Sequence, residues 1–370
     1  TYAVGAKITT IPATDPSKAG YNFDGWYTDA TGGTKIDTTT DLPTVNTNYY
    51  AHFSGKDLTL TWNENYGQTP VKTTSTQTYP GTINLPDPAP TRDGYTFLGW
   101  FTLAEGGTQI SSTTALLTDN AEYFAHWSAN NIKMTWDSDG GAPANYETNA
   151  TYSEDGKVVI PPAATSTPTK PGYTFAGWYT QAGTAGTEVT SDTALPTEDT
   201  TYYAHWDANT ITMHWDSQGG SAVQDTTKIY APDTQIGSVP AAPTRSGYTF
   251  QGWYTLPAGA GDAVTASTIL PASNVTYYAN WKANEDTQYK VHHMWQNIDN
   301  DEYTEKEVKT LYGTTGELTQ AAAITIGEYA GMTAKTPIEQ KVIDGEGTTE
   351  VYIYYDRNLY TLALSAGDAH

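Results

Sequence analysis

The 370-residue sequence contains no cysteine, few basic residues and no long apolar run. Without cysteine the chain cannot form disulfides, use a thiolate in catalysis or hold zinc through sulfur. Lysine and arginine together number 18 against 41 acids, a net charge of −23. This charge disfavours a nucleic-acid partner, because phosphate binding needs a basic surface. No segment reaches the roughly 18 apolar residues that cross a bilayer, so we expect no membrane insertion within this segment.

The two ends of the sequence carry no recognisable targeting signal. Thr1 is not a start methionine, and neither a signal peptide nor a C-terminal anchor is apparent. We therefore expect the sequence to be an excerpt from a longer protein.

Threonine and aromatic residues are abundant, with 28 tyrosines and 11 tryptophans beside only 7 phenylalanines. β-Branched and aromatic side chains favour strands, and the long straight-chain residues that build helices are scarce. The aromatic residues also supply enough apolar surface for folding. The composition therefore predicts a mainly β protein.

Three short blocks recur about every 75 residues. The first reads Gly-Tyr-x-Phe-x-Gly-Trp, the second is an aromatic strand of the type Tyr-Tyr-Ala-His-Trp, and the third is an opening strand that ends in tryptophan. This period exceeds the 20 to 50 residues of a solenoid unit, so we expect small domains that each have a core. The first block begins at residues 20, 94, 172 and 247, the second at 49, 123, 202 and 277, and the third at 58, 132 and 211.

Alternation along the blocks predicts which side chains face each core. In the closing strand, Tyr202, Ala204 and Trp206 share one face, and in the opening strand that follows, Ile211, Met213 and Trp215 do so. In the first block, strict alternation would separate the phenylalanine from the tryptophan. Because every copy has glycine between them, as at Gly177, we predict a β-bulge there.

These blocks resemble the Listeria–Bacteroides, or internalin B-type, repeat in four copies over residues 1 to about 283. The residues that carry the resemblance are the Gly-Tyr-Thr-Phe-x-Gly-Trp-Tyr block, the glycine-threonine turn after it and the Tyr-Tyr-Ala-His-Trp strand. The resemblance implies small β-grasp (ubiquitin-like) modules in bacterial surface proteins. It implies no catalytic residues.

The last 85 residues follow a different pattern. The closing segment Glu350-Val351-Tyr352-Ile353-Tyr354-Tyr355 places Tyr352 and Tyr354 on one strand face, opposite the apolar residues. This ending resembles the mucin-binding-protein (MucBP) repeat of Gram-positive adhesins, which implies another cell-surface module. Residues 359–368 resemble the opening strand of a further repeat.

We therefore expect an elongated tandem array of about five modules. The first repeat lacks its opening strand, and the chain ends with the first strand of a following repeat. The expected domains are residues 1–55, 56–129, 130–208, 209–284, the MucBP-like module 285–358 and the strand segment 359–370.

Exposed aromatic side chains are the candidates for binding. We expect the tryptophans of the Gly-Trp pairs (Trp26, Trp100, Trp178 and Trp253) to lie in cores. The outward residues of the closing strands are candidates for a ligand surface or for packing between modules. They are Tyr50, Phe124, Tyr203, Tyr278, Tyr352 and Tyr354.

We expect no catalytic, cofactor-binding or metal-binding residues. One recurring histidine per repeat (His52, His126, His205) cannot supply the three or four convergent ligands of a zinc site. Calcium at the acidic turns 137–140 and 299–302 is an alternative, although neither turn has EF-hand spacing.

These observations favour a non-enzymatic extracellular stalk or adhesion segment of a large protein at the cell surface or cell wall of a Gram-positive-type bacterium, projecting a distal binding head. Its expected partners are the adjacent repeats of the parent chain and a glycan or protein on a host or neighbouring cell. One alternative is a direct ligand-binding region for mucin glycan or host protein. Another is a set of accessory modules of a secreted polysaccharide-degrading enzyme.

Overall fold

The computed structural model describes residues 5–161 and 167–364. The chain forms two compact units, one from Thr1–Asp139, Pro143–Thr167 and Gly177–His205, and the other from Gly140–Ala142, Pro168–Ala176 and Trp206–His370. Strands account for 43% of the structure and helices for 2%, and several small sheets follow one another along the sequence. The prediction of a mainly β chain of small tandem modules is therefore confirmed, and the β-grasp assignment stays a prediction.

The first repeat contains β1 (Tyr21–Tyr27), β2 (Lys35–Ile36) and β3 (Tyr50–Gly55). These strands form a sheet of order β2-β1-β3 with antiparallel pairings. Strand β3 therefore lies at an edge of this sheet.

The second repeat contains β4 (Asp57–Asn63), β5 (Lys72–Thr78), β6 (Tyr95–Phe101) and β7 (Ala121–Ala129). The sheet order is β5-β4-β7-β6. The central strands β4 and β7 run parallel, and each has an antiparallel partner on its outer side. The opening and closing strands of the repeat thus lie side by side in the middle of the sheet.

The third and fourth repeats have the same order of strands. The third contains β8 (Asn131–Asp137), β9 (Asn145–Thr151), β10 (Tyr173–Tyr179) and β11 (Thr200–Ala208), in the order β10-β11-β8-β9. The fourth adds one short edge strand and has the order β13-β12-β16-β14-β15. Its strands are β12 (Thr210–Asp216), β13 (Thr226–Ile229), β14 (Tyr248–Tyr254), β15 (Ala263–Val264) and β16 (Val275–Ala283).

The fifth module repeats this arrangement, with its first two strands longer and its last two shorter than those of the second repeat. It contains β17 (Thr287–Gln296), β18 (Tyr303–Gly313), β19 (Met332–Ala334) and β20 (Glu350–Arg357), in the order β18-β17-β20-β19. The only helical segments of the described chain are 3₁₀ turns at Pro257–Gly259 and Gly327–Gly331. Residues 359–364 belong to no strand, and the rest of the expected strand segment, 365–370, lies outside the described residues.

In the second, third and fourth repeats the core is built around the tryptophan of the opening strand. In the second repeat Leu58, Leu60 and Trp62 are buried, and the Trp62 ring lies 5.1 Å from Trp100 and 5.4 Å from Tyr123. The same alternation buries Ile211, Met213 and Trp215 in the fourth repeat, as predicted, together with Tyr202 and Ala204 in the third. Trp206 is half-buried rather than fully buried. Of the four Gly-Trp tryptophans, Trp26 alone is only partly buried.

The predicted bulge occurs in the Gly-Trp strands. The register shifts between Phe23 and Gly25, between Phe97 and Gly99, and between Phe250 and Gly252. Gly177 of β10 has φ +135°, close to the values at the other three glycines. The extra residue turns phenylalanine and tryptophan toward each other, and Phe97 lies 5.6 Å from Trp100.

Candidate functional site

The outward aromatics of the closing strands lie beside other aromatic residues of the same sheet. Tyr50 is opposite Tyr27, Phe124 opposite Phe101, and Tyr278 opposite Tyr254. Tyr50 is 40% exposed, whereas Phe124, Tyr203 and Tyr278 are half-buried. In three repeats a parallel opening strand flanks the position, with Asn63, Asp137 or Asp216 alongside, and this neighbour explains the lower exposure.

Tyr352 and Tyr354 of β20 are each 39% exposed, while Val351, Ile353 and Tyr355 are buried, as the alternation predicted. Tyr352 stacks on His292, with ring centroids 4.5 Å apart, and Tyr354 meets Tyr303 edge-on at 5.0 Å. The structure thus places both residues on one outward face of the fifth module.

The recurring histidine has a structural role that the sequence reading missed. His52, His126 and His205 stack on Tyr27, Phe101 and Tyr179 at 3.7 to 4.0 Å, with ring planes within 8°. Each Nε2 lies 2.8 or 2.9 Å from a carbonyl oxygen, of Asp29, Leu103 and Gln181 respectively. Because a carbonyl can only accept, Nε2 carries the proton, and the histidine ties the closing strand to the loop after the Gly-Trp strand.

The acidic turn at 137–140 is one copy of a turn that recurs. The Asp137 side chain accepts the N–H of Asp139, as Asp216 does from Gln218 and Asn63 from Asn65. Asparagine supports this turn as well as aspartate, so the turn does not require a carboxylate. Within the described parts of the chain, no group of three acidic or histidine side chains could hold a metal ion. Calcium at the two acidic turns stays a prediction.

One asparagine makes the same three hydrogen bonds at each of three junctions between a repeat and the next module. Asn130 donates its backbone N–H to the Gly94 carbonyl at 2.9 Å and accepts the Tyr152 N–H at 2.8 Å. Its side-chain oxygen accepts the Thr96 hydroxyl at 2.6 Å. Asn209 and Asn284 repeat all three bonds at the next two junctions. Their partners are Gly172, Tyr230 and Thr174, and then Gly247, Thr315 and Thr249.

A tyrosine ring packs on the glycine of the Gly-Tyr block at the first three junctions between modules. The rings are Tyr79 on Gly20, Tyr152 on Gly94 and Tyr230 on Gly172, and a Cβ at any of these glycines would clash with the ring. Each ring also meets the tyrosine after the glycine edge-on, at 5.2 to 5.5 Å. The glycines have φ near +80°, so both space and backbone conformation require glycine.

A basic side chain covers the outer face of the Gly-Tyr tyrosine. Arg92 lies 3.7 Å from the Tyr95 ring and forms an ion pair with Glu154 of the next repeat at 2.8 Å. Lys18, Lys170 and Arg245 lie over Tyr21, Tyr173 and Tyr248 in the same way, at 3.9 to 5.1 Å. Cation–π contacts of this kind add to the packing of each junction tyrosine.

A family model for the Listeria-Bacteroides repeat domain matches residues 1–52, 59–126, 133–205 and 212–280. These four matches cover more than two thirds of the chain. The chain belongs to the Listeria-Bacteroides repeat family. The resemblance stated for the first four modules is therefore confirmed. The matches end before the fifth module, for which the MucBP resemblance stays a prediction.

Three proteins are similar to the chain in sequence. Two are proteins of Evansella cellulosilytica with the provisional names "Gly-rich membrane protein" and "membrane protein", each 28% identical over 76% of this chain and covered over 32% and 42% of their own lengths. The third is Internalin H of Listeria monocytogenes, 39% identical over 32% of this chain and 21% of its own length. The chain thus spans less than half the length of the relatives it matches. No helix in its described residues is long and apolar enough to cross a bilayer.

A repeated spacing in the sequence marks the junction asparagine of these Listeria-Bacteroides repeats. Asn130, Asn209 and Asn284 each follow the closing tryptophan by three residues, and Asn358 follows Tyr355 by three. Lys56 has this place at the first junction and makes the two backbone bonds, to Gly20 and from Tyr79. A polar linker residue is normally taken as solvated, so only the repeated spacing could have identified it.

The fifth module also buries a polar cluster. His293 is 2% exposed, and its Nδ1 lies 2.7 Å from the Tyr355 hydroxyl, which accepts the Ile324 N–H. Burial lowers the pKa of His293, with a smaller opposing effect of Glu307. The neutral imidazole therefore accepts the Tyr355 proton, and the sequence reading did not foresee this pair.

Proposed function

We propose that this chain is a non-enzymatic repeat segment of a bacterial surface protein, in which the β modules form a stalk that projects a distal binding head. The observation that carries this proposal is the junction. The same Asn–Gly–Thr bonds and the same tyrosine-on-glycine packing recur between successive modules. Repeated contacts between modules, rather than one unique cleft, are the feature expected of a spacer.

The relatives support the surface location. One relative is named an internalin, and two have provisional names as membrane proteins. We propose that the segment is extracellular, at the cell surface or cell wall, and that the adjacent repeats of the parent chain are its constant partners.

Small-angle X-ray scattering of the whole chain tests the stalk. We expect a pair-distance distribution with a long tail and a maximum dimension several times that of one module. A distribution typical of a single compact particle would contradict the proposal.

We further propose that residues 285–358 are a MucBP-like module. The support is the strand of Glu350–Arg357 with its alternating tyrosines, together with the sheet order that this module shares with the repeats. The module would give the segment weak adhesion to a glycan or glycoprotein of a host or neighbouring cell.

Direct ligand binding is a second candidate function. The observation that favours it is the exposure of Tyr50, Tyr352 and Tyr354, because exposed rings can stack on sugar faces. A glycan array separates the two functions. Binding that is lost in the Tyr352→Ala/Tyr354→Ala variant and kept in Tyr312→Ala would favour adhesion by the fifth module, whereas an array without hits would favour a pure spacer.

A further inference from the structure

In the second to fifth modules, the first strand and the last strand of the module lie side by side and run parallel. The pairs are β4 with β7, β8 with β11, β12 with β16, and β17 with β20. In a parallel pair, the start of one strand and the end of the other lie at opposite ends of the pair. A tension that reaches the module through its two chain connections therefore pulls the two strands past each other along their own length.

This direction of pull loads the hydrogen bonds between the two strands together. In the second repeat, residues 60–63 pair with residues 121–124, and in the fifth module six residues of each strand pair. Because the bonds of a parallel pair are evenly spaced along it, no bond at one end has to break first. Sliding would also move the ring of Trp62 past that of Tyr123, which lies 5.4 Å away in the buried core.

The chain passes from one parallel pair to the next through very few residues. Strand β7 ends at Ala129 and β8 begins at Asn131, so Asn130 alone separates them. Asn209 has the same place between β11 and β12, and residues 284–286 separate β16 from β17. A pull along the chain thus reaches each parallel pair directly. The edge strands and loops lie in sequence between the two paired strands, so they carry load only after the pair has separated.

Side chains bond the two strands to each other beyond the paired residues. Asn120, directly before β7, accepts the backbone N–H of Thr59 at 2.8 Å. At the other end, Trp127 of β7 donates its indole N–H to the carbonyl of Glu64, directly after β4, at 2.8 Å. The bond at the start of the pair recurs at 2.8 Å in the third and fourth repeats, from Lys133 to Asp199 and from Thr212 to Asn274.

We propose that the parallel pair of first and last strands is a mechanical clamp, which lets each of these modules bear tension along the chain without unfolding. The function is load bearing, and it is built from the residues that also form the cores. The proposal goes beyond the surface role, because it rests on strand order within each module. A compact particle in X-ray scattering would contradict the stalk and would leave the clamp standing.

Single-molecule force spectroscopy on the full chain tests the clamp by changing the direction of pull on the fourth repeat. The protein has no cysteine, so introduced cysteines serve as specific handles. Handles at Thr210→Cys and Lys282→Cys, at the start of β12 and near the end of β16, pull the pair in shear. Handles at Thr210→Cys and Ser273→Cys pull at adjacent ends of the same strands and separate them bond by bond. All three positions are exposed.

At the same pulling rate, we expect the rupture force in shear to be at least twice the force in the second geometry. The module and its equilibrium stability are nearly the same in both experiments, so only the loading of the strand pair differs. Equal forces in the two geometries, or a lower force in shear, would overturn the proposal.

Two variants of the second repeat separate mechanical from equilibrium stability. Asn120→Ala removes the side-chain bond at the start of the clamp, whereas Gln77→Ala removes two bonds to the backbone of Asn84 that lie outside it. Both variants should lower the denaturant midpoint of this repeat. With handles at Asp57→Cys and Ser128→Cys, both exposed, only Asn120→Ala should lower the rupture force, which depends on the barrier to unfolding. An equal loss of force in Gln77→Ala, or an unchanged force in Asn120→Ala, would contradict the clamp.

Discussion

At the scale of single residues, the junction asparagine illustrates how one side chain can fix a contact between modules. Asn130 bonds through its backbone to Gly94 and Tyr152 and through its side-chain oxygen to Thr96, so it ties the start of β6 to the end of β9. Composition and alternation cannot predict this role, because an asparagine between strands is equally suited to a turn. Its partners Gly94 and Tyr152 are 36 and 22 residues away in sequence.

Removing the Asn130 side chain should weaken the junction by the value of one hydrogen bond. We expect Asn130→Ala and Thr96→Val each to lower the free energy of unfolding of the adjoining repeats by about 1 kcal/mol. The double variant should cost little more than either single variant, since both remove the same bond. Chemical denaturation of the four proteins measures the coupling. Fully additive losses would show that the Thr96–Asn130 bond contributes nothing.

His293 should make the fifth module sensitive to acid. Its pKa is lowered by burial in the folded state, so the neutral form is favoured there relative to the unfolded chain, where the ordinary value is 6.5. The contribution of His293 to stability is therefore complete above pH 6.5 and is lost as the pH falls below it. Protonation at Nδ1 would also remove the acceptor of the Tyr355 hydroxyl.

Thermal unfolding followed at pH 7.5 and pH 5 should show the loss in the fifth module. In the His293→Gln variant, which keeps a polar side chain but cannot titrate, the pH dependence of that transition should become smaller. The exposed His214 provides the control through His214→Gln. An unchanged pH dependence in His293→Gln would contradict the assignment.

At the scale of strands, much of the fold could be predicted from the sequence because the signals are local. Alternation identified the buried faces of β12 and β20, and the repeated glycine identified the bulge in β1, β6 and β14. The sheet order and the parallel central pair could not be predicted this way. They depend on contacts such as Trp62 with Tyr123, between residues about 60 positions apart, which no short pattern encodes.

Substitution of the bulge glycine should cost more stability than substitution of a loop glycine, although both glycines have positive φ. At Gly99, φ is +123° and a Cβ would clash with the Gln109 side chain, which donates to the Leu98 carbonyl. At Gly106, φ is +66° and a Cβ would meet nothing. We expect Gly99→Ala to cost roughly 2 to 3 kcal/mol and Gly106→Ala about 1 kcal/mol, measured by urea denaturation. Equal costs would show that the bulge tolerates a side chain.

The Gly-Trp tryptophans offer a comparison of the same residue in a filled and an open core. Trp100 is 4% exposed and packs against Trp62, whereas Trp26 lines an open pocket. We expect Trp100→Ala to destabilise its repeat by roughly 3 to 5 kcal/mol and Trp26→Ala to cost clearly less, because less area returns to water. Denaturation followed by hydrogen exchange assigns each loss to its own repeat. A larger loss for Trp26 would contradict this account of the first core.

At the scale of the whole molecule, the modules follow one another along the sequence, and the described junctions join a repeat to the module after it. The stability of the chain should then be a sum of terms for the modules and terms for the junctions. The core residues determine the stability of each module. The tyrosine ring on its glycine and the hydrogen bonds of the asparagine determine the stability of each junction.

The ring of Tyr152 can be removed without changing the backbone of either repeat. The Tyr152→Ala variant should therefore measure the contribution of the junction to stability. The ring packs on Gly94 and meets Tyr95 edge-on at 5.4 Å, and its loss opens this contact to water. We expect hydrogen-exchange protection to fall at the Asn130 and Tyr152 amides, which bond to Gly94 and Asn130, while the Met134 amide in the centre of the sheet keeps its protection. Tyr312→Ala, which removes an exposed ring in the fifth module, is the control. If protection also fell at Met134, Tyr152 would belong to the core of its repeat. If protection fell nowhere, the Tyr152 ring would contribute nothing to the junction.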